Sequence, residues 1–181
     1  MNEIIKADLY RYGGLSGTKG LIKGLRIPGC RYMYLLRQVA SSKRFSIKWL
    51  FFSILKHKYD FKYSFQIDSK TEIGPGFYIG HYGAVVINPK ARIGKNCNVA
   101  HGVTIGAANR GKRKGYPTIG NNVWIGTNAV IVGNVNIGSD VFIAPNSFVT
   151  VDVPDHSMVI GNPCTITHRE NACEGYINFV S

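Results

Sequence analysis

The sequence predicts a mainly β protein: a parallel β-helix behind an α-helical region. Three observations carry this. A six-residue phrase recurs from Ile67 to Pro154, the first 62 residues lack it, and the phrase is broken at only two places. The phrase is a β-branched residue, often Gly, two variable residues, then a small or β-branched residue. It starts at Ile67, Ile73, Ile79, Ile87, Ile93, Val99 and Ile105, and resumes at Ile119, Ile125, Ile131, Ile137, Ile143 and Val149. A period of six does not suit an amphipathic helix, which repeats every 3.6 residues. It suits three short strands per coil, about eighteen residues in all, stacked as a solenoid.

Each first-position Ile or Val is expected to fill the interior, with Gly at the corners. The fifth place holds Thr71, Ala91, Cys97, Val103, Val123, Ala129, Val135, Val141, Ser147 and Val153, and only Phe77 and Gly83 break that habit. Val85-Val86 adds two residues between the third and fourth phrases, and Gly111 to Thr118 adds eight between the seventh and eighth. Insertions in solenoids form loops on one face, often the binding face. Three regions follow: helical residues 1–62, a β-helix over 63–165 and a tail over 166–181.

Charge separates the same regions. Residues 1–62 hold thirteen Lys/Arg against three acids, a net +10 of the chain's +12. This imbalance suits an anionic partner (phosphate, acidic glycan, lipid head group or nucleic acid) or simply a solvated helical surface. No nucleic-acid-binding module is present, so no nucleic-acid partner is expected. The cysteines Cys30, Cys97, Cys164 and Cys173 form no metal spacing, and Cys97 sits at a small-residue place. Without an early apolar run, a reduced cytoplasmic setting is expected. The longest apolar run, Trp49 to Leu55, is broken by Ser53 and too short to span a bilayer.

Within the basic region, Ile4, Ile5, Leu9 and Tyr10 suit a short helix ended by Gly13-Gly14. Pro28 opens a second helix, running to about Ala40. A third runs from about Ser46 to Tyr59, with Trp49, Phe52 and Leu55 among lysines. Its aromatic face is expected to cap the open coil or pack on another subunit, the alternative being peripheral contact with an anionic inner-membrane face. After Pro154 the chain is expected to leave the coil, with a turn at Gly161-Asn162-Pro163.

Two of the five histidines share a place in the phrase. His81 and His101 are both third residues, twenty apart, which is one coil plus the two-residue insertion. Coils stacked in register would project both rings from one wall. A near-neutral imidazole suits proton removal from an alcohol attacking an acyl group. Two stacked histidines also fit a wall ladder without chemistry. No third ligand falls at the matching place one coil on, so no metal is expected.

The stretch from Ile79 to Ile87, with His101-Gly102-Val103-Thr104-Ile105-Gly106, resembles the hexapeptide-repeat acyltransferases of the serine acetyltransferase branch. The phrase from His81 to Asn88 is similar to that of exopolysaccharide O-acetyltransferases, such as the colanic-acid type. The resemblance implies a left-handed β-helix, a homotrimer with sites between subunits, and acetyl-CoA as co-substrate. It places His81 as general base, with His101 as a second catalytic candidate. It puts the pantetheine arm along Gly106, Ala107 and Ala108 and around Gly126 and Thr127. The basic loop of Arg110, Lys112, Arg113 and Lys114 is then placed to meet a CoA phosphate or an acidic acceptor.

The chain also departs from that branch. Gln66 stands where an Asp orients the catalytic His, and Gly80 replaces the Asp directly before it. Gly115-Tyr116 replaces an Arg-His pair that grips the amino acid's charges. Gln66, Asp68, Tyr82 and Tyr116 are therefore read as acceptor-binding, the tyrosines as stacking surfaces for a sugar ring. The resulting expectation is an O-acetyltransferase acting on a sugar hydroxyl, free or on a lipid-linked glycan, in capsular or exopolysaccharide biosynthesis. Serine O-acetylation in cysteine biosynthesis is the alternative, and a non-catalytic β-helix a third.

Overall fold

A computed structural model describes residues 1–180. Four helices come first: α1 (Glu3–Tyr10), α2 (Gly17–Gly24), α3 (Pro28–Ser41) and α4 (Ile47–Tyr63). Short strands follow: β1 (Phe65–Ile67), β2 (Glu72–Ile73), β3 (Tyr78–Ile79), β4 (Val85–Ile87), β5 (Arg92–Ile93), β6 (Asn98–Val99), β7 (Thr104–Gly106), β8 (Thr118–Ile119), β9 (Val123–Ile125), β10 (Val130–Val132), β11 (Asn136–Ile137), β12 (Val141–Ile143), β13 (Phe148–Val149), β14 (Ser157–Ile160) and β15 (Thr165–His168). They make a three-sided parallel solenoid. Its first face is β1-β4-β7-β10-β13, its second β2-β5-β8-β11 and its third β3-β6-β9-β12-β14.

The repeat is the reason for this shape. Phrase-initial residues pair across coils, Ile67 with Ile87, Ile73 with Ile93 and Ile79 with Val99. All point inward, and each is less than a tenth exposed. Five corners that lead into strands of the third and first faces use a device the repeat did not advertise. Asn96, Asn122, Asn128, Asp140 and Asn146, each fourth in its phrase, adopt positive φ between 54° and 60°. Asn and Asp tolerate this left-handed step better than other side chains.

Two expectations about the coil need correction. The insertion is not at Val85-Val86: both are regular strand residues, paired with Phe65 and Gln66. Val85 fills the inward place that the repeat assigned to Gly83, and the extra residues widen the corner before it. Nor does the chain leave the coil at Pro154. β14 pairs with β12 in register, Val159 over Ile143, before the chain reverses through Gly161 into antiparallel β15. Val159 is fully buried, so one apolar residue at the right place extends the wall without a full phrase.

The open end of the coil is capped by α3 rather than by the Trp49–Leu55 face. Tyr32, Met33 and Leu36 join Tyr63, Phe65 and the coil isoleucines in one buried cluster. Helix α3 approaches so closely that a Cβ on Gly29 would lie 2.1 Å from the Ile79 carbonyl oxygen. Helix α2 was not expected, because three of its eight residues are Gly, which disfavours helix. Packing holds it: a Cβ on Gly24 would lie 2.6 Å from Leu9 and 2.7 Å from Cys30.

A buried ion pair ties the helices to the first coil. Arg37 Nε donates to Asp8 Oδ2 at 2.8 Å, and its Nη1 and Nη2 donate to the Ile73 and Gly74 carbonyls at 2.7 Å. Asp8 also accepts from the Phe77 amide at 3.0 Å. Asp8→Ala would strand Arg37 as an uncompensated buried charge, a loss of about 3–5 kcal/mol. Urea unfolding monitored by circular dichroism checks this.

The C-terminal tail covers the third face. Trp124 and Phe142 stack at 4.7 Å with Tyr176 against both, and Asp140 accepts from the Ala172 and Cys173 amides. His156 lies 2.8 Å from Asp140, whose hydrogen bond raises the imidazole pKa. A raised imidazole contributes stability below its unfolded pKa, about 6.5, and loses it as pH rises through the folded value. Tm is therefore expected to fall as pH rises above about 6.5 in wild type, and this slope to vanish in His156→Ala. Thermal melts across that range are the check.

Candidate active site

His81 and His101 sit on the corner between the third and first faces. The third-position column down this corner is His81, His101, Thr127 and Pro145, fixed by the stacking of Ile79, Val99, Ile125 and Ile143. Both imidazoles are exposed, with ring centroids 6.0 Å apart and planes at 83°. Among the described residues, neither ring nitrogen has a hydrogen-bond partner within the chain. Both nitrogens of each ring are thus open to a bound molecule.

The local backbone differs at this corner for a steric reason. Gly102, Asn128 and Asn146 take the left-handed step at fourth position on the later coils. On the His81 coil that place is Tyr82, and the left-handed step falls instead on Gly83 (φ 124°) and Ala84 (φ 43°). The widened corner is pinned by the Gly83 amide donating to the Tyr63 carbonyl at 3.0 Å, and by the Gly102 amide donating to the Gly83 carbonyl at 3.1 Å. Tyr82 lies 5.8 Å from the Tyr63 ring, and Tyr63 stacks on Tyr59 at 5.1 Å. Arg31 donates to the Tyr63 hydroxyl at 2.8 Å. The helical region therefore reaches the histidine corner through an aromatic chain.

The other expected site residues divide between two corners. Thr127 and buried Gly126 lie on the histidine corner, one coil beyond His101. Gly106, Ala107 and Ala108 lie at the far end of the first face, where the long loop leaves. That loop folds back as an antiparallel bridge between Ala108 and Gly115 and lies against the coil wall. Arg113 is held there, 2.8 Å from Asp152 and donating to the Asn134 carbonyl, while Arg110, Lys112 and Lys114 are exposed. Gln66 and Asp68 line a groove of about 790 Å³ over the start of the first face, between α4 and Ala84, Val86 and Asn88. Tyr116 is elsewhere, beneath Lys90 at 5.1 Å, in a hollow with Lys70, Glu72 and Lys114. Among the described residues, no His, Cys, Asp and Glu cluster is arranged to hold a metal.

Comparisons with known proteins bear on the fold that carries this corner. The family described as "Bacterial transferase hexapeptide (six repeats)" matches residues 116–150. A serine acetyltransferase from Helicobacter pylori is 38% identical over 103 residues, 56% of this chain and 60% of that protein. One from Synechococcus elongatus is 36% identical over 104 residues, 58% of this chain and 43% of that protein. Neisseria gonorrhoeae serine acetyltransferase, solved in complex with serine, superposes with TM-score 0.74 at 27% identity, over 91% of this chain and 68% of that one. The Brucella abortus enzyme in complex with coenzyme A gives 0.72 at 25% identity, over 92% and 65%.

Over part of its length the chain is similar to hexapeptide-repeat serine acetyltransferases. Its solenoid matches the left-handed β-helix of that group, and it spans 29% to 60% of the curated relatives cited or like them.

The comparisons overturn the expected sugar-hydroxyl acceptor. Each relative above is named a serine acetyltransferase, and the closeness to colanic-acid-type enzymes is not supported. The structure also separates the two tyrosines within the chain. Tyr82 and Tyr116, read together as a sugar platform, lie at opposite ends of the first face, one against Tyr63 and the other under Lys90. They form no common surface within one chain. Residues that sequence reasoning passed over are Tyr63 and Arg31, which brace the histidine corner from the helices. Their one signal was the tyrosine spacing of Tyr59 and Tyr63 at one helical turn.

Gly102 sets the His101 corner. It has φ 76°, and a Cβ there would lie 1.9 Å from Asn128 Oδ1. Gly102→Ala is expected to destabilise the fold by about 1–3 kcal/mol through strain and overpacking. His101→Ala, at an exposed ring, should leave the unfolding midpoint in place. Urea titrations of the two variants side by side test this.

Proposed function

We propose that the protein is an acetyl-CoA-dependent serine O-acetyltransferase acting through a His81 general base. The observation that carries the proposal is the in-register His81 and His101 pair, open to solvent on a widened corner of a solenoid like those of serine acetyltransferases. His81 takes the proton of the acceptor hydroxyl as its oxygen attacks the thioester carbonyl. The tetrahedral intermediate collapses, the carbon–sulfur bond breaks, and the imidazolium returns the proton to the departing thiolate. His101, its ring 6.0 Å from that of His81, is the second candidate for this transfer.

A homotrimer belongs to this reading. The first face carries Val86, Val130, Val132 and Phe148 outward beside Gln66 and Thr104, a more apolar surface than the Glu72, Arg92, Thr118 and Asn136 of the second face. The histidines stand at one end of the first face, and Gly106, Ala107 and Ala108 at the other. Copies packed side by side on that face would bring one copy's histidines to another's loop, completing a CoA site that a single chain holds in halves. Gly126, Thr127, Lys112 and Arg113 are assigned to the cofactor within that shared cleft.

Gln66, Gly80 and Tyr116 leave serine fewer charged groups to meet than an Asp and an Arg-His pair would supply. The expected consequence is a high KM for serine with an intact chemical step. Thiol release from acetyl-CoA with L-serine should be serine-dependent, and His81→Ala should lower kcat by about 10²–10⁴-fold. Acetyl-CoA binding without any serine-dependent release would sink the acceptor assignment, and unchanged turnover in His81→Ala would sink the base.

A further inference from the structure

Helix α4 packs on α3 and β1 through one face only. Tyr63 is its single buried residue, with Trp49, Phe52 and Tyr59 half-buried on the same side. The opposite side is apolar and bare: Ile47 is 90% exposed, Leu50 54%, Phe51 57%, Ile54 61% and Phe61 75%. At 3.6 residues per turn these five fall in one arc of roughly 100°. Phe45, 76% exposed and at φ 65°, extends the stripe past the helix start. The Arg44 guanidinium lies 4.7 Å over its ring.

Charge on this side has one sign. Lys48, Lys58 and Lys62 are exposed beside the stripe, with Lys43 and Arg44 at its N-terminal end. The helix's one acid, Asp60, turns inward to the Tyr32 hydroxyl at 2.6 Å and to Lys56 at 3.0 Å. No carboxylate of α4 faces the stripe.

A contiguous exposed apolar face marks a contact surface. Two such faces pressed together would bring six lysines against one another with no carboxylate of α4 to pair them, and like-charge juxtaposition opposes that contact. An anionic lipid surface satisfies both features at once, taking the apolar stripe below the head groups and the lysines among the phosphates. We propose that the outer face of α4, with Phe45, docks the protein on an anionic membrane surface. Among the described residues no helix is long and apolar enough to cross a membrane, so the contact is peripheral. The proposal stands apart from the acetyl-transfer reading and uses none of its residues at positions 81 or 101.

Co-sedimentation tests it, with vesicles of phosphatidylcholine alone and with about one third phosphatidylglycerol, at low and high salt. Three proteins are compared: wild type, Leu50→Asp with Ile54→Asp, and Lys48→Glu with Lys58→Glu and Lys62→Glu. Wild type should pellet with the anionic vesicles only, and less at high salt. The aspartate variant should stay in solution, and the glutamate variant should bind more than about fivefold more weakly for each lysine reversed. Wild type left in solution at low salt would overturn the proposal, as would full binding by the aspartate variant. A lighter lipid-free particle for the aspartate variant in analytical ultracentrifugation would assign the stripe to a second copy instead. Circular dichroism and serine-dependent thiol release, expected unchanged in both variants, establish that they are folded.

Discussion

Closure of each coil in a fixed length governs this protein. Ile67, Ile87, Ile105, Ile131 and Val149 stack in one interior column because every circuit of the chain returns to the same height in register. A buried side chain of that size contributes about 1.5–3 kcal/mol, and a one-residue slip would turn it to solvent. Added residues are therefore excluded from the walls and pushed into corners. Both insertions obey this: the widened turn at Tyr82 to Ala84, and the loop bridged between Ala108 and Gly115. The places where chemistry can differ from coil to coil are set by the wall before any catalytic residue is chosen.

The histidine pair follows from that constraint. Parallel stacking puts third-position side chains in a column, so two phrases that each carry His at that place bring the rings to 6.0 Å without any dedicated contact. The corner that holds His81 is then tuned by what surrounds it. Tyr82 occupies the place that Gly102, Asn128 and Asn146 fill elsewhere, and the chain turns later, through Gly83 and Ala84. Tyr63 receives that turn on its carbonyl and faces Tyr82 with its ring, and Arg31 fixes the Tyr63 hydroxyl. The helical block thus serves the corner as well as the open end of the coil.

How much of this was legible depends on the range of the interaction. The solenoid was readable because its signal is local and repeated: Ile or Val every six residues, with a small residue between. The histidine register was readable by counting along the same period. The displaced insertion was not, because Val85 satisfies the wall as well as any small residue would, and only pairing with Phe65 reveals which residues are extra. Helix α2 was hidden for the opposite reason. Its glycines argue against helix locally and are explained only by Leu9 and Cys30 across the packing seam. The capping role of α3 was similarly non-local, since Tyr32 and Met33 look no more interior in sequence than Trp49 or Phe52.

The acceptor reading failed at a further level of range. Gln66, Gly80 and Tyr116 were read as a set because each replaces a charged residue of the resembled enzymes, and the absence of charge was taken to mean a sugar. In the fold the set disperses: Gln66 lies in the groove beside α4, Gly80 at the histidine corner, and Tyr116 beneath Lys90. A missing charge at one of these positions says what that position lacks, not which acceptor takes its place. In the proposed trimer, moreover, each cleft draws its walls from two copies, so the charges that meet an acceptor need not be close in one chain. A single coil wall has too few side chains to define both partners of a group transfer. For a solenoid that works at its corners, the acceptor is set by which two corners meet.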